Sequence, residues 1–383
     1  ISTATKKPLI KGETLIFFDE VQVCPEIVTA IKFLVDDGSY KYIMSGSLLG
    51  VELTDLRSEP VGYMSVKEMF PLDFEEFIRA IGISDKVIEH LQQSWDNRIP
   101  VDSFLHQKMM ELFRLYLVVG GMPEAVKKYL ETNNLQEVMA AQRDIITLYK
   151  RDITKYDFKD KLQINHIYDL IPPELNEKNK RFILKSLNEN AKYDRYHNGF
   201  LWLKNAGVAI PVYNVEEPKM PLKLSMSRNL LKLFLSDIGL LAAQYANGIQ
   251  LRIINGDKDI NFGSVYENAV AQELIAHSFE PFYYNNKKRG EIDFVIEYHG
   301  RILPIEVKSG KDYEVHRALS NIMDCPEYDL QEAIVFCNDN LKVVGKLTYA
   351  PVYMTMCLKK NDYAPTFYKV DISMVREPEI TYG

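Results

Sequence analysis

Three residues near the C-terminal end have the types and spacing of a metal-assisted phosphodiester site. Asp293 lies in the run EIDFVIEY, and Glu306 and Lys308 lie in ILPIEVKS. Strand periodicity predicts that Asp293 shares a face with Val295 and Glu297, while Ile292, Phe294 and Ile296 face the other way; Glu306 and Lys308, two residues apart, share a face. A tight turn at Tyr298-His299-Gly300-Arg301 would make the two strands antiparallel neighbours, bringing Asp293 and Glu306 together on one divalent cation. The Val307 carbonyl is a candidate third oxygen, and Lys308 a candidate to orient water and steady developing phosphorane charge. An acid from the preceding helix, VYENAVAQEL, would complete the metal shell. Glu267 and Glu273 are the candidates, about 240° apart around a helix, so both cannot point at one metal. Lys287, Lys288 and Arg289 add local positive charge suited to a phosphate backbone. The competing reading is an ordinary strand edge with protective charges.

A second chemical signal stands near the start. TLIFFDE (14–20) is an apolar strand ending in Asp19 and Glu20, and YKYIMSGS (40–47) is another ending in Ser45, Gly46 and Ser47. At the carboxyl ends of parallel strands, Asp19 would order magnesium, Glu20 would polarise an attacking water, and the two serines would sense the γ-phosphate of ATP. The alternative is that both acids only cap the loop. The motif GxxxxGK[ST] is absent: Gly310-Lys311 and Gly345-Lys346 lack the upstream glycine and the following Ser or Thr. The chain as it stands is therefore expected to hydrolyse ATP poorly. It opens on Ile1, and the expectation is that a phosphate-binding loop precedes that residue.

Strand, helix (PEIVTAIKFLVDDG) and strand over the first part make a βαβ unit. Residues 100–160 read as helical, broken at GGMP (120–123). From 161 to 216 three helices and a hairpin are predicted: one with Leu162, Ile167 and Leu170 on its apolar face and stopped by Pro172-Pro173, one with Phe182, Leu184 and Leu187, and FLWLKNAG closed by Gly207. That outline is a winged-helix module. A boundary falls near 250–262. Beyond it come the helix SVYENAVAQELIAHSF and the strand candidates EIDFVIEY, ILPIEVKS, EAIVFC, LKVVGKLTY and PVYMTMCL, with a helical YEVHRALSNIM between the second and third.

At 383 residues the chain has room for roughly 2.6 domains. With 46% hydrophobic and 26% charged residues, disordered and low-complexity classes are excluded. No apolar run is long enough to span a membrane, so no membrane partner is expected. A formal net charge of −7 argues against a protein that coats nucleic acid non-specifically, but not against a local basic patch. Cys24, Cys325, Cys337 and Cys357 form no CxxC pair, which excludes a zinc site of usual spacing and fits a reducing cytoplasm.

The segments TLIFFDEVQ, YIMSGSLLG, MFPLDFEEFI, VVGGMPEAV, FLWLKNAGVAIPVYNVEEPK, LKLFLSDIGLLA and GEIDFVIEYHGRILPIEVKSGK together resemble a prokaryotic family of AAA-type ATPases with a C-terminal domain related to PD-(D/E)xK nucleases. The resemblance implies an α/β chain: a partial P-loop AAA-type core (1–98), a helical lid (99–160), a winged-helix-like region (161–255) and a restriction-endonuclease-like α/β domain (256–383). It implies ATP with magnesium or manganese as cofactors. Asp19 and Glu20 take the place of the family's strand-end acids, Ser45 and Ser47 its SGS strand end, and Glu267 its helix acid. Arg57 is the nearest candidate for a trans-acting finger, which calls for a homo-oligomer. DNA or another nucleic acid is the implied partner. The alternative is a non-catalytic, ATP-regulated interaction module built on a degenerate nuclease fold.

Overall fold

The computed structural model describes residues 8–46, 62–153, 158–177, 180–187, 193–257, 260, 262–360 and 367–371. The chain opens with β1 (Leu15–Phe18), α1 (Pro25–Asp37) and β2 (Lys41–Met44). β1 and β2 pair in parallel, Leu15 against Lys41 through Phe18 against Met44, as a βαβ crossover requires. Val28 and Ile31 are the buried face of α1, and Gly38, in the left-handed region, ends it.

A helical block follows: α2 (Phe74–Ala80), α3 (Asp85–Asp96), α4 (Ser103–Val119), α5 (Pro123–Thr132) and α6 (Leu135–Ile153). A capping box between Asp73 and Glu76 starts α2. The break between α4 and α5 is steric. A Cβ on Gly121 would sit 2.0 Å from the Leu72 carbonyl oxygen, and the Leu72 N–H donates to the Gly121 carbonyl at 2.8 Å. Gly121 in turn donates its N–H to the Asp237 carboxylate at 2.6 Å. Only glycine lets these backbones approach so closely.

Next come α7 (Phe158–Asn176), α8 (Tyr193–Asn205), β3 (Ala209–Val215), β4 (Met226–Leu235), α9 (Ile238–Ala243) and α10 (Ile249–Ile254). The expected stop at Pro172-Pro173 does not occur, since α7 continues to Asn176. Ile171 and Leu175 flank the prolines with no exposed surface, and their burial outweighs the two forfeited N–H bonds. Leu162, placed by periodicity on the apolar face, is exposed instead. The helix expected at Phe182–Leu187 is a single 3₁₀ turn at Leu184–Ser186.

The last part holds α11 (Phe262–Ala276), β5 (Phe282–Asn286), β6 (Gly290–Tyr298), β7 (Arg301–Val307), α12 (Arg317–Met323), β8 (Ala333–Cys337), β9 (Lys342–Val344) and β10 (Leu347–Pro351). LKVVGKLTY is a hairpin turning at Gly345, not one strand, and PVYMTMCL forms a 3₁₀ helix at Val352–Cys357. All strands after β2 join one mixed sheet in the order β4-β3-β5-β6-β7-β8-β10-β9. β3 pairs antiparallel with β4 and parallel with β5. The hairpin read as a wing is therefore the flank of the same sheet that carries Asp293 and Glu306. Its apolar strands are buried by continuing the sheet, which a free wing would leave exposed.

α11 is buried on all sides from Ser264 to Leu274, lying between the sheet and the helical block. It carries two acids into that interior. Glu273 accepts the Phe74 N–H at 2.7 Å, and its Oε2 lies 3.8 Å from His277 Nε2 without a hydrogen bond. Burial, aided by the Asp73 charge, pushes the Glu273 carboxyl up to about 8. With the folded value above the ordinary 4.5, the stability it contributes is complete below about pH 4.5 and is lost as pH rises to about 8. Glu273→Gln keeps the acceptor for Phe74 without the ionisation. The wild-type chain is expected to lose stability against this variant from pH 5 to 8, by on the order of 3 kcal/mol. Paired denaturant curves across that range check it, and a constant difference would refute it.

Candidate active site

The turn between β6 and β7 forms as the sequence predicts. His299 and Gly300 both take positive φ, and Tyr298 pairs with Arg301 in an antiparallel ladder. The faces of β6 differ from simple alternation. Phe282 of β5 pairs with Val295, but Tyr284, two residues on, pairs with Ile292, three residues back, so β6 carries one extra residue between them. This bulge puts Ile292 in the same apolar cluster as Val295, whereas Phe294 and Ile296 pack in the other. Asp293 is thereby turned out of register with Val295 and Glu297. Its Oδ2 accepts the Val307 N–H at 2.8 Å, bridging to β7 beyond the last ladder pair, Phe294 with Ile305. Glu297 accepts the Leu222 N–H instead.

Asp293 meets a residue that the motif does not contain. Lys232 lies in the apolar strand β4, where i, i+2 alternation gives it the face of Phe234, which packs on Phe294. Its side chain has no exposed surface. The ammonium lies 2.8 Å from Glu291 Oε1, 3.4 Å from Glu267 Oε2 and 3.7 Å from Asp293 Oδ1, over the Tyr283 ring. Lys180 closes on the other oxygen of Glu267. The sequence reading missed Lys232, Lys180 and Glu291. The signal for Lys232 was present: a lone cation between Leu231 and Leu233 has to be buried and paired.

The charges organise one another. Burial alone would lower the Lys232 pKa, but Glu267, Asp293 and Glu291 raise it, so the ammonium is held charged. Burial pushes Asp293 up, and the charges of Lys232 and Lys180 with the Val307 N–H more than reverse this, holding it below the ordinary carboxylate range. Burial and the Asp293 charge raise Glu267 despite both lysines. Glu306 is pushed up to about 8 by burial, then by Asp293. Lys308, partly exposed, lies 2.7 Å from Glu306 Oε1, while Glu306 Oε2 is buried with no hydrogen-bond partner.

Glu267 faces two ammonium groups, those of Lys180 and Lys232, and its charge is also felt by Asp293 and Glu306. Among the described residues no group of three or more His, Cys, Asp or Glu side chains has the arrangement of a metal cluster. Glu273 stands apart, toward Phe74 and His277. In the basic stretch, Lys287 and Lys288 are exposed at the β5–β6 turn, but Arg289 is held by Tyr328, at 2.5 Å from its hydroxyl, and by Glu327 at 3.5 Å.

At the other candidate site, Asp19 and Glu20 follow β1 and Ser45 follows β2. The Ser45 hydroxyl donates to Asp19 Oδ1, and the Ser45 N–H donates to the Phe18 carbonyl at 2.9 Å. Glu20 takes the left-handed conformation, φ 54°, and its N–H donates to Asp19 Oδ1 at 3.1 Å. Asp19 and Ser45 are thus brought together at the carboxyl ends of parallel strands. Ser47 and Arg57 lie outside the described residues.

Residues 1–78 match a family described as an AAA domain. Residues 110–251 match a domain of unknown function (DUF8612), and residues 262–352 match another (DUF4143). The chain thus combines an AAA-type domain with two uncharacterised domains, and the sheet runs through both of the latter. No curated protein matches the chain. No helix among the described residues is long and apolar enough to cross a membrane.

Lys232→Met would leave Glu267, Glu291 and Asp293 without their shared buried cation. The expected loss of folding stability is about 3–5 kcal/mol. Urea unfolding checks it, and Lys232→Met combined with Glu267→Gln should recover part of the loss. An unchanged midpoint in the single variant would contradict the central role of the ammonium.

Proposed function

We propose that the protein is an ATP-binding AAA-type protein that acts on nucleic acid and cleaves phosphodiesters at Asp293, Glu306 and Lys308. The reading rests on Glu306 Oε2, a buried acceptor with no partner. A buried carboxylate oxygen left empty costs free energy unless a ligand satisfies it. Magnesium and manganese fit, because magnesium is commonly held by only one or two carboxylates, with water and substrate phosphate completing its shell. Asp293 and Glu306 would hold the ion, and when bound it supplies Lewis-acid stabilisation of phosphoryl oxygens. Lys308, partly exposed with its ammonium on Glu306, would bind a phosphoryl oxygen or orient a water. Lys287 and Lys288 offer charge for the flanking backbone.

In the AAA-type part, Asp19 would order the magnesium of bound ATP and Ser45, hydrogen-bonded to it, would sense the γ-phosphate, with Glu20 beside them as the water-polarising acid. Arg57 in the role of a trans-acting finger, and with it a homo-oligomer, belongs to this same proposal.

A second reading is a non-catalytic interaction module, favoured by one observation. The Lys232 ammonium already neutralises Glu267 and Asp293, so the cluster is held together without a metal. The two readings part in a cleavage assay on single- and double-stranded DNA and RNA. With magnesium or manganese, cutting is expected, and Asp293→Asn or Lys308→Ala should lower it on the order of 100-fold or more while circular dichroism is unchanged. A wild-type protein that cuts none of these substrates with either metal leaves the second reading standing.

A further inference from the structure

A cavity of about 680 Å³ opens immediately beyond Lys308. Its wall begins at Ser309-Gly310-Lys311, the segment leaving β7, and continues to Asn338 and Asp339, which leave β8. β7 and β8 are parallel neighbours, so the cavity lies where α/β sheets present ligands, outside the carboxyl ends of adjacent strands. α4 contributes Arg114 and α11 contributes Phe262 and Tyr266. The volume lies within the range of small-ligand sites.

Its chemistry is selective. The Arg114 Nε is buried without a hydrogen-bond partner, and among the described residues Arg114 and Lys311 make no ion pair. Gly256 lies against the guanidinium at ordinary van der Waals range, a Cβ there falling 3.6 Å from Arg114 Nη1. A buried guanidinium donor without an acceptor calls for an anion, and phosphate matches its planar fork. The wall also carries three aromatic rings, Phe262, Tyr266 and Tyr313, with Ile260 beside them. It is also stiff, because Tyr266 donates its hydroxyl proton to Asn338 Oδ1 at 2.9 Å and Asn338 Nδ2 donates to the Ser309 carbonyl at 2.8 Å. Among the described lining residues Asp339 is the one acid, beside the two cations Arg114 and Lys311.

We propose that this cavity is a nucleotide-binding site, in which Arg114 and Lys311 take a phosphate and the aromatic wall, with Tyr313 foremost, takes the base. The ligand is a free mononucleotide or the phosphorylated end of a strand, since both present the same phosphate and base. The inference rests on the nucleic-acid reading for its choice of ligand, but binding does not require cleavage. The test is therefore equilibrium binding to the whole chain in EDTA, with adenosine monophosphate, a 5′-phosphorylated hexanucleotide, its unphosphorylated counterpart and inorganic phosphate.

The expected result is binding of the mononucleotide or of the phosphorylated strand, weakened about tenfold by Arg114→Gln and by Lys311→Gln. Tyr313→Leu should weaken the nucleotide without changing the affinity for inorganic phosphate. Dependence of the signal on Arg114 and Lys311, neither of them in the ATP site, separates this cavity from that site. Whichever of the two phosphorylated probes binds tighter identifies the source. Lys311 is exposed, so its variant reports even if Arg114→Gln fails to fold. Equal binding of all variants, no binding of either phosphorylated probe, or inorganic phosphate binding as tightly as the nucleotides would overturn the proposal. Loss of nuclease activity alone would not touch it.

Discussion

The buried ammonium of Lys232 is the interaction on which the C-terminal sheet depends. It reaches from β4 to Glu267 on α11 and to Glu291 and Asp293 on β6, tying a flanking strand and the central helix to the strand that carries the site. Removing charges from water is costly, so such a cluster persists only when every charge is answered. Here the acids hold one another's protonation in check through the lysines between them. Asp293 stays ionised because cations surround it, and Glu306, one strand away, meets mainly burial and the Asp293 charge. Two carboxylates in one locality are thus pushed in opposite directions by their surroundings.

The second constraint is the position of α11. A helix buried all round has to be satisfied by its own side chains, and it uses them at both levels. Asn268 accepts the Leu235 N–H and donates to its carbonyl, Gln272 accepts the Ile238 N–H, and Glu273 accepts the Phe74 N–H. The end of β4, the start of α9 and the start of α2 are all hung from this helix. The helical block and the sheet therefore share one core, and Gly121 allows the backbone of Leu72 and the carboxylate of Asp237 to meet in it. The candidate site and the cavity beyond it lie along the same helix. Glu267 contacts the lysines, and Tyr266 lines the cavity.

Much of this was legible in residue order. The parallel β1–β2 pair, the helices on either side of Gly120-Gly121, and the β6–β7 hairpin follow from periodicity and turn chemistry, which act over a few residues. The features that failed did so where distant packing prevailed. α7 passes through Pro172-Pro173 because Ile171 and Leu175 are buried there. PVYMTMCL, apolar enough for a strand, winds into a 3₁₀ helix that packs against α3, α4 and α11. β5 was missed because FYYNN carries polar residues beside its aromatic ones, and its pairing with β3 and β6 supplies the order.

The residues Asp293, Glu306 and Lys308 and their delivery to adjacent strands were fixed by sequence alone, because a two-residue period and a four-residue turn are local. Asp19 and Ser45, at the ends of parallel strands, were fixed in the same way. Tertiary structure decided which groups those acids face. A one-residue bulge, set by how β5 pairs with β6, turned Asp293 toward Lys232, and a lysine 61 residues earlier in the chain became its counter-ion. It also decided that the supposed wing would extend the sheet and that Arg114 would stand beside Ser309 at an open cavity. Local chemistry chooses the side chains that can react, whereas burial and charge pairing between distant segments choose their partners.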